Sequence, residues 1–128
     1  MCELIANKRE ELVYLGQFQA DIELNGIKFR LMHHDKGNAY AISYAGQKIA
    51  EQIASGNKPD ILLLGHLHTA LYFWYRNMHI LSCGTFQGQT PFLMRKGLNP
   101  AVGGWICEAR MGNENPLVAL ETSWIPFF

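Results

Sequence analysis

From residue 18 to residue 24 apolar and polar positions alternate. Phe18, Ala20, Ile22 and Leu24 fall on one side and Gln19, Asp21 and Glu23 on the other, the period-2 signature of a half-buried strand. Asn25-Gly26 follows, a strong hairpin signal because both turn positions tolerate positive φ. The apolar run 27–32 then returns antiparallel, with His33 at its far end. Between 39 and 54, Ala39, Ile42, Ala45, Ile49, Ala50 and Ile53 recur at helical spacing while Gln47, Lys48, Glu51 and Gln52 face out. This predicts an amphipathic helix, closed by Gly56 as its C′ residue and by Pro59 beyond it.

The short apolar run 61–64 predicts a buried strand, and residues 71–75 and 78–82 predict a hairpin about Arg76-Asn77. Residues 104–110 and 116–124 read as two further strands, separated by glycine and asparagine. A short helix is expected at 4–11, a short strand at 12–15 closed by Gly16, a loop at 35–38 and an irregular stretch at 87–93 around Pro91. Many strands and one strong helix indicate a single α/β (α+β) domain over residues 1–128, with a mixed, largely antiparallel sheet.

Composition narrows the function. Basic and acidic residues balance at eleven each with no block of either sign, so no nucleic-acid footprint is indicated. No apolar run approaches the roughly 20 residues of a membrane helix, and the first residues lack the apolar core of a signal peptide. Cys2, Cys83 and Cys107 are odd in number and far apart, which fits free thiols in a reducing compartment and hence the cytoplasm.

The chemistry lies in Gly65-His66-Leu67-His68. A buried strand ends in glycine and then delivers two histidines, which in extended backbone would point to one face. Gly65 would permit a tight bend that lets the imidazoles converge. His33-His34 ends another apolar run, and at most one of them can join a given site while both stay extended. A hydrolytic metal site needs about three or four nitrogen or carboxylate ligands and an open position for water. Asp60 opens the strand that His66 follows, and would lie roughly 20 Å away along extended backbone. His79 falls inside a predicted hairpin strand, where a satisfied sheet histidine is the simpler reading, and Tyr72-Phe73-Trp74-Tyr75 reads as sheet packing.

The order of these pieces resembles the C-terminal half of the calcineurin-like metallophosphoesterases. A strand ending in His33 is followed by a helix, then a strand delivering Gly65-His66-Leu67-His68, then a hairpin and the turn Cys83-Gly84-Thr85. The resemblance spans residues 27–110. It implies part of an α/β/β/α sandwich and metal-dependent hydrolysis of phosphate esters. It also implies two divalent ions (manganese, iron, zinc or nickel), with His33 and His66 on one and His68 on the other. His34 stands where the family usually has a small residue.

The family's earlier motifs, Asp-x-His, Gly-Asp and Gly-Asn-His, do not occur in these 128 residues. They supply the bridging aspartate, the asparagine ligand and the histidine that protonates the leaving group. The expectation is therefore a C-terminal fragment without significant turnover on its own, which self-associates or pairs with the absent N-terminal half. Two alternatives stay open: a mononuclear zinc site of His33, His66 and His68, and a non-catalytic binding or scaffold module of the same fold.

Overall fold

The computed structural model describes residues 2–35 and 39–127. After a short helix α1 (Cys2–Ala6), the chain forms strands β1 (Gln19–Leu24) and β2 (Ile27–His33). Helix α2 (Tyr44–Gln52) leads to β3 (Ile61–Gly65), β4 (Ala70–Tyr75) and β5 (Met78–Cys83). A short helix α3 (Pro91–Arg95) precedes β6 (Gly103–Arg110) and β7 (Ala119–Pro126). The first five strands form one sheet in the order β1-β2-β3-β5-β4, and β6-β7 form a two-stranded ribbon. Outer pairings are antiparallel, while β2-β3 and β3-β5 are parallel. The fold is thus α+β with a mixed sheet, as expected, and its centre is parallel.

The centre is parallel because β3 is apolar on both faces, as a strand covered on both sides must be. Leu62 and Leu64 face α2 and pack with Ile49, Ala50, Ile53, Met78 and Ile80. Ile61 and Leu63 face the other way, into a core with Ile27, Leu81, Leu117, Trp105 and Leu120. The layers run helix, sheet, ribbon, three consecutive layers of the expected sandwich. Gly46 lets α2 come close, since a Cβ there would lie 2.9 Å from Phe73 Cζ. Trp105 fastens the ribbon by donating its indole N–H to the Ser82 carbonyl at 2.9 Å. Phe73 and Tyr75 belong to one core and Tyr72 to the other, so this aromatic run is sheet packing; Trp74 stays exposed.

Both predicted two-residue hairpins form. Asn25 and Gly26 take φ of 52° and 82° between Leu24 and Ile27, and Arg76 and Asn77 take 51° and 61° between Tyr75 and Met78, left-handed pairs that match the twist of the flanking strands. Arg30 is buried and makes a bidentate pair with Asp21 at 2.7 and 2.9 Å, tying β1 to β2. The guanidinium holds the Asp21 carboxyl below its usual value.

Several expectations are corrected. The helix expected over 39–54 is regular only across Tyr44–Gln52. Gly56 is not its C′ residue: Ile53 is already extended, and Ser55–Asn57 form a 3-10 turn. Arg76, reaching across from the β4-β5 turn, donates Nη1 to the carbonyls of Ala50 and Ile53, the latter at 3.0 Å, and so takes over the C-terminal carbonyls. The helix expected at 4–11 stops at Ala6. Residues 12–15 form no strand, and Leu12, Val13, Tyr14 and Leu15 are exposed with no partner strand among the described residues. The loop expected at 35–38 lies outside the described residues beyond Asp35. No described helix is long and apolar enough to cross a membrane.

Replacing Arg76 by Asn keeps a residue suited to positive φ but removes the clamp on α2. Urea denaturation should show a loss of about 1–3 kcal/mol with an unchanged slope. An unchanged midpoint would mean that the clamp contributes nothing.

Candidate metal centre

Parallel pairing of β2 with β3 sets His33 opposite Gly65. Gly65 has no side chain to fill that place, and a Cβ there would come 3.4 Å from His33 Nδ1. A Cβ at that distance would sit in ordinary contact with the His33 ring. The bend expected of Gly65 is made by His66 itself, at φ 96°, followed by His68 at φ 54°. Both histidines lie beyond the end of β3, so the alternation that would place them on one face no longer operates. Left-handed backbone is uncommon for residues other than glycine and costs of order 1–3 kcal/mol.

The turn brings His66 Nδ1 to 3.3 Å from His33 Nε2, with the rings nearly perpendicular at 5.1 Å between centroids. His34, just past the end of β2, is buried beneath α2, with its ring 5.5 Å from that of His66. Both residues of the His33-His34 pair therefore flank His66: His34, two residues beyond Met32, lies on the α2 face, and His33 borders the groove of Leu31 and Leu63 on the other. Sequence reasoning left His34 without a role, and the signal that could have placed it is the alternation that sets it on the same face as Met32.

His68 is directed elsewhere. It lines a cleft of about 310 Å³ with His66, Leu93, Leu98 and Pro100. His33 instead borders two grooves, one beside Met32 and Ile53, the other beside Leu31 and Leu63. Among the described residues no group of three or more His, Cys, Asp or Glu side chains gathers around a point that would hold a metal ion.

Two imidazole nitrogens bound tetrahedrally to one zinc ion at about 2.0–2.1 Å stand roughly 3.3–3.4 Å apart. The His33–His66 separation of 3.3 Å fits that geometry. The pair offers two nitrogens, fewer than the three or four ligands a hydrolytic site requires. Asp60 is committed elsewhere, its carboxylate accepting from the Lys28 N–H at 2.9 Å.

His79 is a sheet histidine. Its Nδ1 lies 2.8 Å from the Tyr72 hydroxyl, with the rings stacked at 6.0 Å. Burial lowers its pKa, against a smaller opposing pull from Asp60.

No family model matches the chain. Over 56 residues it is 32% identical to the DNA polymerase II small subunit of Methanothermobacter thermautotrophicus and 39% identical to that of Archaeoglobus fulgidus. Those stretches are 44% of this chain but 12% and 11% of the two subunits. The chain thus spans about an eighth or less of the curated relatives it matches. Among solved structures it is similar to Vps29 from Entamoeba histolytica complexed with zinc, at 18% identity and TM-score 0.46 over 85% of this chain and 60% of that one. A Thermotoga maritima protein solved by NMR matches at 14% identity and TM-score 0.42, over 85% and 54% of the two chains.

The depressed His79 pKa has a signed consequence. The unfolded chain binds a proton more readily than the folded one, so stability rises with pH through the interval between the folded value and the unfolded value of about 6.5. Acidification below pH about 6.5 should therefore lower the unfolding midpoint. His79→Gln should flatten that part of the profile; an equally steep profile in the variant would assign the acid sensitivity to other groups.

Proposed function

We propose that this chain is the histidine-bearing part of a metal-dependent phosphoesterase site, inactive by itself. The observation that carries this reading is the 3.3 Å approach of His33 and His66 at adjoining ends of two parallel strands. In such a site bound divalent ions lower the pKa of a water and neutralise phosphate oxygens. The chain's own residues hold and orient: His33 and His66 serve one ion, while His68, turned toward the neighbouring cleft, is placed for a second ligand or ion. The family's bridging aspartate has no counterpart in these 128 residues, and in this reading a carboxylate supplied by another segment or partner completes the site. The apolar groove formed by Leu15, Phe18, Leu31 and Leu63 beside His33 offers a seat for the segment or partner that brings them. Free Cys83 and Cys107 accord with a reducing, cytoplasmic setting.

A second reading, a scaffold of the same fold, asks of His33 and His66 only the 3.3 Å hydrogen bond that they make. The mononuclear zinc alternative needs His68 beside both His33 and His66; His68 shares a cleft with His66, and no three-ligand group including all three forms among the described residues.

Titration of the chain with zinc, followed by calorimetry and by histidine NMR signals, separates these readings. The phosphoesterase reading expects weak binding that falls at least roughly tenfold in His33→Ala and His66→Ala and persists in His68→Ala. A phosphodiesterase assay with manganese should show no significant turnover. Zinc binding indifferent to His33 and His66 would leave the scaffold reading. An equal loss in all three variants would favour the mononuclear site.

A further inference from the structure

The five-stranded sheet ends in two edge strands of opposite character. At one end lies β1, which carries Asp21 and Glu23; charge on an edge strand guards it against pairing with another chain. At the other end lies β4, Ala-Leu-Tyr-Phe-Trp-Tyr, with no charge, proline or glycine. It pairs with β5 without a bulge, from Ala70 opposite Cys83 to Tyr75 opposite Met78, so no local kink turns its free side away. The cations at its turn are engaged: Arg76 donates to the carbonyls of Ala50 and Ile53, and Lys58 donates to the Arg76 carbonyl at 3.0 Å.

The pairing of β4 shows which of its backbone groups face out. Tyr75 and Met78 close the two-residue turn, and the Gly84 N–H donates to the Thr69 carbonyl at 2.8 Å. Thr69, Leu71, Phe73 and Tyr75 therefore turn their backbone groups toward β5, while Ala70, Tyr72 and Trp74 turn theirs away. Those three backbone units have no partner among the described residues. None of the three residues is buried, and Trp74 is 58% exposed. Such an open row of donors and acceptors is a template for a further strand.

We propose that β4 pairs antiparallel with β4 of a second copy of this chain, across a two-fold axis at Tyr72. The strand's own pattern selects both occupant and register. Outward residues can bond only to outward residues, and a two-fold axis at Tyr72 sets Ala70 against Trp74 of the second copy and Tyr72 against its own counterpart. All three then bond, each facing pair exchanging two hydrogen bonds. Moving the axis by one residue sets Trp74 against His68, or Ala70 against Arg76, and both of those lie outside the strand at positive φ. The side chains agree with the axis at Tyr72. Ala70, the smallest residue of the strand, lies beside the exposed Trp74, and Leu71 lies beside Phe73 on the opposite face. A foreign strand would need this small-against-large order in its own sequence, whereas a second copy supplies it by symmetry. The interface uses none of His33, His66 and His68, so it is independent of the metal-site reading.

A single short strand pair makes a weak, reversible interface, so the test is a concentration series of the whole chain up to about 1 mM. Reductant keeps Cys83 and Cys107 from linking copies. Sedimentation equilibrium should show the 14.5 kDa chain passing into a dimer. Hydrogen exchange followed by NMR should show the amides of Ala70, Tyr72 and Trp74 slowing as the dimer forms. Trp74→Lys changes an exposed side chain outside both cores and should raise the dissociation constant at least roughly tenfold. Ala70→Trp should weaken the dimer by setting Trp against Trp, and Ala70→Trp combined with Trp74→Ala should restore it, because large again faces small. Should the Ala70 variants fail to fold, Trp74→Lys and the exchange data still decide. A monomer at every concentration overturns the proposal. So does a dimer that ignores Trp74→Lys, or one in which those three amides exchange as fast as in the monomer.

Discussion

The parallel register of β2 against β3 is the constraint on which everything functional here depends. It aligns Met32 with Leu64 and His33 with Gly65, so both strands end at the same edge of the sheet. A slip of one residue would put every side chain of β3 on the wrong face. Leu62, Leu64 and Ile61 are each buried and gain about 1.5–3 kcal/mol from it. Their combined preference far exceeds any preference among the exposed residues at the strand ends. The two histidines therefore do not find one another; the apolar residues upstream of them fix where they stand.

That division explains how much was legible in the sequence. Asn25-Gly26 and Arg76-Asn77 announced their hairpins because a two-residue turn depends on local backbone preference alone. Strands β2 to β5 and the centre of α2 were legible because their apolar periodicity matches the faces they bury. The ends of α2 were not. Its last carbonyls are claimed by Arg76, more than twenty residues away, and no local signal specifies such a cap. The stretch 12–15 has the residue types of a strand, but strand structure needs a neighbour, and composition says nothing about whether one is present.

The site divides in the same way. That His33 and His66 should meet was readable from motif order, because both follow strands that pair. The placement of His68 was not, because a spacing argument holds only while the backbone keeps one conformation. Beyond Gly65 the chain leaves the extended region twice, at His66 and at His68. A two-residue spacing then no longer means a shared face, and His68 borders the cleft beside Leu98 instead. One residue past the end of β2, His34 keeps the alternation of that strand, sharing the α2 face with Met32, and approaches His66 from the side of the helix.

The left-handed conformation of His66 bears on why this edge was built as it was. Glycine at that position would adopt φ 96° without steric cost. An imidazole there is less stable by something on the order of 1–3 kcal/mol, and it persists only because the surrounding core determines the backbone. Stability alone would favour glycine, and would favour it again at residue 68. Gly65, meanwhile, takes no positive φ, and a Cβ there would only touch His33. The loop thus carries its left-handed backbone on two histidines and not on its glycine. The two rings are thereby brought to hydrogen-bonding distance, 3.3 Å between His66 Nδ1 and His33 Nε2.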